Sequence, residues 1–447
     1  MIARLGAWLT RVATRVMPDP FVLAIGLTLV VLALGAWRLA ASGAESIGWT
    51  LVEGWTGGFA STPLLAFALQ MCLVLVTGHA LATSPPVRRG VAALARLRLG
   101  LGGSAALVAF VSCLAATLHW GLGAIVGAFL AREVGRVARR EGREIHYPLL
   151  GAAAYSGFAV WHGGLSGSAP LKVAEEGHFA AARVGVIGVE RTLLSPLNLA
   201  ITGGLLVLIP LLFWAMAPKE PVPAPPFDAD DTDDDIRLEQ TAVARLQRSP
   251  WFGGVVGAAG VVVAVVALVA DELSFNLDFV NLVFLFAGLA AQGSVSRYVD
   301  AVAEGARGAG AIVVQFPLYF GVLGVMKASG LILWLSEGFV AIASRETFPL
   351  FAFLGAGTLN LFVPSGGGQW AVQGELLFGA GEKLGVDPAV TVMAFSYGDA
   401  WTNLLQPFWA LPLLGIMGLR AKDIVGYTGV ACLAMGAYVA IVLALMT

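Results

Sequence analysis

The chain has 447 residues, 58% of them hydrophobic and 13% charged, with a mean hydropathy of +0.81 and a formal net charge of −2. That balance excludes a water-soluble globule, and the lack of a long basic stripe excludes a nucleic-acid partner. Apolar runs of about 20 residues recur, the length that crosses a bilayer, so the chain reads as an all-α polytopic membrane protein with the lipid bilayer as its partner.

Residues 1–19 interleave Arg4, Arg11 and Arg15 with Leu5, Trp8, Leu9, Val12 and Val16 and lack a small-residue cleavage pattern. They predict an interfacial amphipathic helix, not a signal peptide. Hydropathy predicts spans at 20–40, 62–82, 101–118, 121–138, 148–167 and 196–216, a first membrane repeat over 20–216. In the linker over 217–250, Pro221, Pro223, Pro225 and Pro226 precede Asp228, Asp230, Asp231, Asp233, Asp234 and Asp235. Such a composition cannot bury a core and predicts a disordered cytoplasmic tether. An extra span at 252–271 makes up the segment 251–271, and a second membrane repeat over 272–447 holds spans at 278–294, 308–328, 347–363, 368–383, 387–406 and 423–446. The stretches 119–138, 331–345 and 364–383 are alternatively re-entrant or interfacial, which sets the count at about 11 to 13 membrane segments.

Arg4, Arg11 and Arg15, then Arg88, Arg89, Arg96 and Arg98, then Arg132, Arg136, Arg139, Arg140 and Arg143 flank successive spans. The positive-inside rule places all three clusters, the N-terminus and the linker in the cytoplasm, in a multi-pass protein of the cytoplasmic (inner) membrane. Cys72, Cys113 and Cys432 show no paired spacing, so they suggest neither a disulfide framework nor a metal site.

The two halves look like copies. Gln70 and Gln315, Ser84 and Ser329, Gly121 and Gly366, and Gly123 and Gly368 all stand 245 apart. Further on, Pro148 pairs with Pro388 at 240, and Tyr155 with Tyr397 and Pro170 with Pro412 at 242. The extra span makes the number of crossings between copies odd, so the repeat is inverted. Each copy carries an interruption in an apolar run, His119-Trp120-Gly121-Leu122-Gly123 in one and Pro364-Ser365-Gly366-Gly367-Gly368 in the other. Paired interruptions in inverted repeats point to an alternating-access transporter, because irregular backbone survives at membrane depth only where it lines a site or is buried in protein. A plain glycine-rich loop between spans is the alternative. Two further irregular stretches, 161–168 and 397–407, occupy matching places in the copies.

Pro18-Asp19-Pro20, Thr77 to Ala82, Ala131-Arg132-Glu133-Val134, Gln315-Phe316-Pro317, Val363 to Trp370 and Gln406 to Pro412 together carry a resemblance nearly end to end. The chain resembles the short-chain fatty acid transporters typified by the acetoacetate and butyrate permease, a family similar to the wider ion transporter superfamily. The resemblance implies a scaffold part and a mobile transport part, elevator motion, and a homodimer. The chain departs from the family pattern at His119, where Asn is expected, and at Glu375, where Pro is expected.

No Lys or Arg lies in the four irregular stretches, so a small monocarboxylate would rest on backbone N–H groups of Gly121, Gly366, Gly367 and Gly368, with Ser365, Gln369, Ser166 and Ser168 as side-chain donors. Trp120, Trp161, Trp370 and Trp401 offer walls for the acyl chain, or serve as packing and interfacial anchors. Asp399, Asn403 and Gln406 follow i, i+4, i+7 spacing, with Thr402 between and Asn360 a candidate neighbour. An intramembrane Asp is costly and is a functional hypothesis by default. That face would hold H⁺ or Na⁺ as coupling ion, or serve interhelical hydrogen bonding, and no other cofactor or metal is implied. His119 and His162 are candidate proton relays or satisfied hydrogen bonders. Two rivals follow from the same letters. One is a dicarboxylate or amino-acid carrier of the superfamily, and the other an intramembrane serine protease built on Gly164-Leu165-Ser166-Gly167 with His162 or His119 as base. A protease gives no reason for the second copy, so the prediction is a transporter and not an enzyme.

Overall fold

The computed structural model describes residues 20–178, 180–226, 241–270, 272–273, 277–362, 366–406 and 409–447. In the first half, α1 (Pro20–Ala41), α2 (Ile47–Phe59), α3 (Thr62–Ala82), α4 (Pro85–Ala95), α5 (Leu101–Leu118) and α6 (Trp120–Glu141) lead to α7 (Tyr147–Tyr155). Two 3-10 turns follow, Ser156–Ala159 and Trp161–Gly163, then α8 (Ser168–Lys172), α9 (Ala181–Val184) and α10 (Pro196–Ala215). After α11 (Ala242–Arg248) and α12 (Pro250–Val269) come α13 (Leu277–Gln292), α14 (Val295–Ala328), α15 (Leu331–Val340) and α16 (Phe348–Asn360). The chain ends with α17 (Gly366–Leu384), α18 (Pro388–Asn403), α19 (Leu411–Met417) and α20 (Ala421–Met446). The β-type pairing among the described residues is one isolated parallel bridge, His146 to Val222.

Local chemistry sets many helix starts. α10, α12 and α18 begin with proline after Ser195, Ser249 and Asp387, whose side chains accept from the N–H of Asn198 (3.2 Å), Phe252 (3.4 Å) and Ala389 (2.8 Å). Proline suits this position because its missing N–H would have no helical partner there.

The two halves present their elements in the same order. At an offset of 245, α2 and α3 together cover the ground of α14, a single 34-residue helix. Pro63 lies in the first turn of α3, just after the break, and Gly308 occupies the equivalent place within α14. Ser84 and Ser329 each follow the long helix and return their hydroxyls to its carbonyls, Leu81 O at 2.6 Å and Val325 O at 2.7 Å. Next come α4 and α15, α5 and α16, a break, then α6 and α17. α14 packs on α1, α2 and α3, and crosses α2 so closely that a Cβ on Gly58 or Gly324 would run into backbone. The largest core joins both halves, with Tyr147, Tyr155 and Phe158 among Met393, Tyr397 and Tyr427.

Among the described residues, six helices are long and apolar enough to cross a membrane: Ala24–Ala41, Leu64–Ala82, Leu101–Leu118, Pro196–Ala215, Pro250–Val269 and Ala421–Met446. Several sequence expectations need correction. The span predicted at 148–167 is not one helix, since α7 ends at Tyr155 and gives way to 3-10 turns. The span at 387–406 ends its helix at Asn403, and 308–328 is the second part of α14. Hydropathy passed over α2 and α4, and the stretch 331–345 holds the ten-residue α15. The linker is partly ordered: Val222 exchanges backbone hydrogen bonds with Ile145 and Tyr147 at 2.8 Å, Arg139 donates to Ala224 O at 2.7 Å, and Ala224 is buried. The predicted amphipathic helix over 1–19 and the Asp228 to Asp235 run lie outside the described residues.

Candidate functional site

Because α7 stops at Tyr155, the chain turns back and delivers His162 to α18 of the other half. His162 Nδ1 lies 2.8 Å from Asp399 Oδ2, and both side chains are fully buried. The Ala169 N–H donates to His162 Nε2 at 3.1 Å, and Ser168 Oγ stands 3.2 Å from the same nitrogen. An Nε2 that accepts leaves the ring proton on Nδ1, which therefore donates to Asp399. The second carboxylate oxygen, Asp399 Oδ1, is buried with no hydrogen-bond partner among the described residues. Trp161 stacks on the imidazole with centroids 4.3 Å apart.

The start of α17 closes on this group. A Cβ on Gly366 would come within 2.8 Å of Ser168 Oγ and 2.9 Å of His162 Cε1 and of the Trp161 ring. Only glycine fits that approach without displacing rigid rings. Gly367 is next in line, 3.7 Å from Ser168 Cβ by the same measure. Trp161, His162, Ser168, Gly366, Gly367 and Asp399 thus form one constellation drawn from both halves. Ser365 lies outside the described residues, and Gly368 continues the first turn of α17.

The end of α16 is sealed by side chains. Asn360 Nδ2 donates toward Asp399 O (2.9 Å), Thr402 Oγ1 (2.9 Å) and Asn403 Oδ1 (2.8 Å). The Thr402 hydroxyl donates to Gly357 O at 2.9 Å, Gln406 Nε2 donates to Asn360 O and Leu361 O at 2.8 Å each, and Gln369 Nε2 donates to Ala356 O at 2.8 Å. These are carbonyls that a helix C-terminus leaves without backbone partners. Thr402, Asn403 and Gln406 therefore gather with Asn360 at the negative end of α16, while the Asp399 carboxylate faces His162 instead.

The break between α5 and α6 is also sealed. Ser166 Oγ accepts from the Trp120 N–H at 3.0 Å, His119 Nδ1 accepts from the Gly121 N–H at 3.1 Å, and the Leu165 N–H donates to Thr117 O at 2.7 Å. Two N–H groups at the head of α6 already have acceptors, among them that of Gly121, which the sequence offered as an anion donor. His119 packs against Phe284 with centroids 4.9 Å apart. Trp120 meets Trp409 edge-on at 5.2 Å, and the two line a small apolar cavity with Leu75, Ala124, Ile125 and Pro412. Trp370 is buried against Phe378 and Phe395, and Trp401 stacks on Phe353.

Sequence reasoning overlooked Asn198, a polar residue in the first turn of an apolar helix. Its Nδ2 donates to Gly163 O (2.8 Å) and Leu193 O (2.7 Å), which holds the 3-10 turn carrying His162. The nucleophile and base proposed for a protease do not pair, because Ser166 accepts from the Trp120 N–H at the head of α6 and it is Ser168 that neighbours His162. Among the described residues no group of three His, Cys, Asp or Glu side chains is placed to hold a metal ion.

Broken apolar helices meeting around a buried acid and an imidazole, within an all-helical membrane chain, define a multi-pass membrane transporter. The chain belongs to the short-chain fatty acid transporter family, whose model matches residues 1–446. It is 38% identical over 449 residues to a protein of Escherichia coli (strain K12) described as "Putative short-chain fatty acid transporter", covering 98% of each chain. A Haemophilus influenzae protein of the same description is 36% identical over 439 residues, covering 96% of each. Among solved structures, the Alcanivorax borkumensis YdaH transporter aligns over 95% of this chain and 98% of its own, with a TM-score of 0.46 and 19% identity. Family and relatives are transporters, so the protein is not an enzyme.

Proposed function

We propose that the protein is a secondary active transporter that carries short-chain monocarboxylates such as butyrate and acetoacetate across the cytoplasmic membrane, coupled to H⁺ or Na⁺. The observation that carries this reading is the meeting of α17's first turn with His162, Ser168 and Asp399. The positive end of one interrupted helix and a buried acid of the same half stand beside His162 and Ser168 of the opposite half. Backbone N–H groups at Gly366 and Gly367, with Ser168, favour a small anion, whereas the Gln369 amide that the sequence offered is spent on Ala356 O and Gln373 Oε1, and the negative end of α16 favours a cation nearby. The site is neutral apart from Asp399, which suits weak binding and release. At about 0.8 kcal/mol per buried CH₂, one methylene changes affinity roughly fourfold, so chain length is set by the walls.

The parallel order of elements in the two halves and the odd number of predicted crossings between them support an inverted repeat, alternating access and an elevator motion. The basic residues support a cytoplasmic N-terminus in the inner membrane. Homodimerisation rests on superfamily resemblance alone. The reading is tested by uptake of radiolabelled butyrate into proteoliposomes under separately imposed proton and sodium gradients, against protein-free liposomes, with acetate and citrate as competitors. Gradient-driven accumulation inhibited by acetate is the expected outcome. Inhibition by citrate alone would favour a dicarboxylate carrier of the superfamily.

A further inference from the structure

We propose that the coupling ion is the proton, carried on Asp399 and exchanged with the substrate break along the chain Ser168–His162–Asp399. This rests on the transporter reading above and goes beyond it by naming the ion, its route and the segment its loading releases.

Three observations carry the proposal. First, most of the oxygens at the end of α16 are already engaged, and the two left buried without a partner among the described residues, Asn360 Oδ1 and Gln369 Oε1, fall short of the several that a sodium ion needs. The Thr402 hydroxyl, Asn403 Oδ1, and the carbonyls of Gly357, Asn360, Leu361 and Asp399 all have donors within 2.9 Å, and the Asn360 amide group occupies the space among three of them. Second, the Asp399 carboxylate is directed away from that cluster, to an imidazole, and keeps one buried oxygen unpartnered. A fully buried carboxylate with a single donor is a poor place for a permanent charge and a suitable place for a proton. Third, the hydrogen bonds run without a gap from Asp399 through both ring nitrogens to Ser168, which is half-buried beside Gly366 and Gly367.

The transfer balances as follows. In the unloaded state Asp399 is a carboxylate and His162 holds its proton on Nδ1. A proton reaching Ser168 Oγ from the substrate side releases the hydroxyl proton to His162 Nε2, and the Nδ1 proton passes to Asp399 Oδ2. Asp399 is then a neutral acid that donates to Nδ1, and His162 is the other neutral tautomer, donating from Nε2 to Ser168. One proton has entered and the pair has gone from −1 to neutral. Nε2 no longer accepts, so the Ala169 N–H loses its acceptor and α8 loses a tie to His162 next to the start of α17. Loading thereby loosens the contact between the two broken segments.

The charged groups on the elements packed about the pair are Lys172 on α8, Glu375, Glu382 and Lys383 on α17, and Lys422 and Asp423 at the head of α20. The α8 and α17 groups are exposed, and Lys172, Glu382 and Asp423 have partners of their own in Glu175, Arg183 and Arg420. Tyr397, two residues before Asp399, turns its hydroxyl to Asn198. Protonation at this depth is thus decided by Asp399 and His162.

The test uses the full-length protein in proteoliposomes. In Asp399→Asn, counterflow of radiolabelled butyrate above protein-free liposomes is expected to persist while proton-driven accumulation is lost. In Ser168→Ala, proton-driven uptake is expected to slow by roughly 10- to 100-fold, as for removal of a positioned proton carrier. Infrared difference spectra between acidic and alkaline suspensions should show a protonated-carboxyl band in the wild type that is absent in Asp399→Asn. Proton-driven accumulation by Asp399→Asn at the wild-type level, a carboxyl band unchanged by that substitution, or wild-type accumulation under a sodium gradient alone overturns the proposal. If Asp399→Asn fails to fold, a wild type with no titrating carboxyl band overturns it, and a band whose titration is moved by His162→Gln supports it. Absence of butyrate counterflow in the wild type would instead sink the substrate assignment, which the infrared experiment does not depend on.

Discussion

Tyr155 and Tyr397, 242 residues apart and equivalent in the two copies, reach across to each other's half. The Tyr155 hydroxyl lies 2.8 Å from both Asn403 O and Gln406 O, where α18 ends, and the Tyr397 hydroxyl donates to Asn198 Oδ1 at 3.1 Å. Each tyrosine therefore steadies the broken segment of the opposite copy, one holding the chain after Asp399 and the other the residue that anchors the turn bearing His162. The two are not equal in energy. Asn198 Oδ1 also accepts from the Thr202 hydroxyl at 2.9 Å and Asn403 O from the Gln406 N–H at 3.0 Å, whereas Gln406 O has Tyr155 as its donor. Tyr155→Phe is expected to destabilise the protein by about 1–3 kcal/mol, the usual cost of leaving a buried carbonyl unpaired, and Tyr397→Phe by less. Thermal unfolding of both variants in one detergent checks the order, and equal losses would contradict the asymmetry.

Gly366 and Gly367 are neighbours in a run of three glycines, yet their surroundings differ. Gly366→Ala would press a methyl group into the His162 and Trp161 rings, which cannot swing aside, at a cost of about 1–3 kcal/mol. Gly367→Ala meets nothing closer than 3.7 Å. Uptake is expected to fall by roughly an order of magnitude or more in Gly366→Ala, since 1.4 kcal/mol is a factor of ten, and to stay near wild type in Gly367→Ala. Surface expression of both variants, measured alongside, separates lost transport from lost insertion.

Much of this arrangement was readable before folding was considered, and the reasons differ by residue. The constant spacing of Gln70 and Gln315, and of Ser84 and Ser329, exposed the repeated order of elements because a duplicated helix plan keeps its register. Asp399 and His162 each stood out because ionisable groups in apolar runs are costly. Their pairing was not readable, since nothing local to either says which distant face it meets. The break after Tyr155 was hidden because 148–167 is apolar throughout, and hydropathy cannot distinguish a helix from 3-10 turns packed inside protein. The docking of Val222 and Ala224 was masked by the prolines around them, because the bridge needs Ile145 and Tyr147 as partners and these lie far back in the chain.

Asn360 is the hinge of the polar seal at the end of α16. Its amide serves three oxygens, and its own carbonyl accepts from Gln406. Asn360→Ala removes the donor but keeps the backbone, so Thr402 and Asn403 lose a partner while the Gln406 bond survives. A loss of about 1–3 kcal/mol in stability is expected. Sodium should not rescue it: if the amide fills a place that no ion uses, unfolding temperatures of wild type and Asn360→Ala shift equally between sodium and choline chloride. A sodium-dependent gain confined to the variant would show that an ion can take the vacated space.

Trp120 and Trp409 close the apolar cavity where the two copies meet, and Trp409 also packs on Phe316 and Phe158. Trp120 opens α6 in the first half and Trp409 lies between α18 and α19 in the second, so the cavity can change shape if the halves move relative to each other. If this wall limits acyl length, Trp120→Ala makes room for additional methylenes. Each one buried is worth about 0.8 kcal/mol, roughly fourfold in affinity, until the new space is full. Inhibition of butyrate uptake by a series of straight-chain acids should then shift its optimum to longer chains in Trp120→Ala, with acetate little affected. An unchanged optimum in a variant of normal uptake would assign the tryptophan pair to packing between the copies and move the length filter to Trp161, which lies against His162 and Gly366.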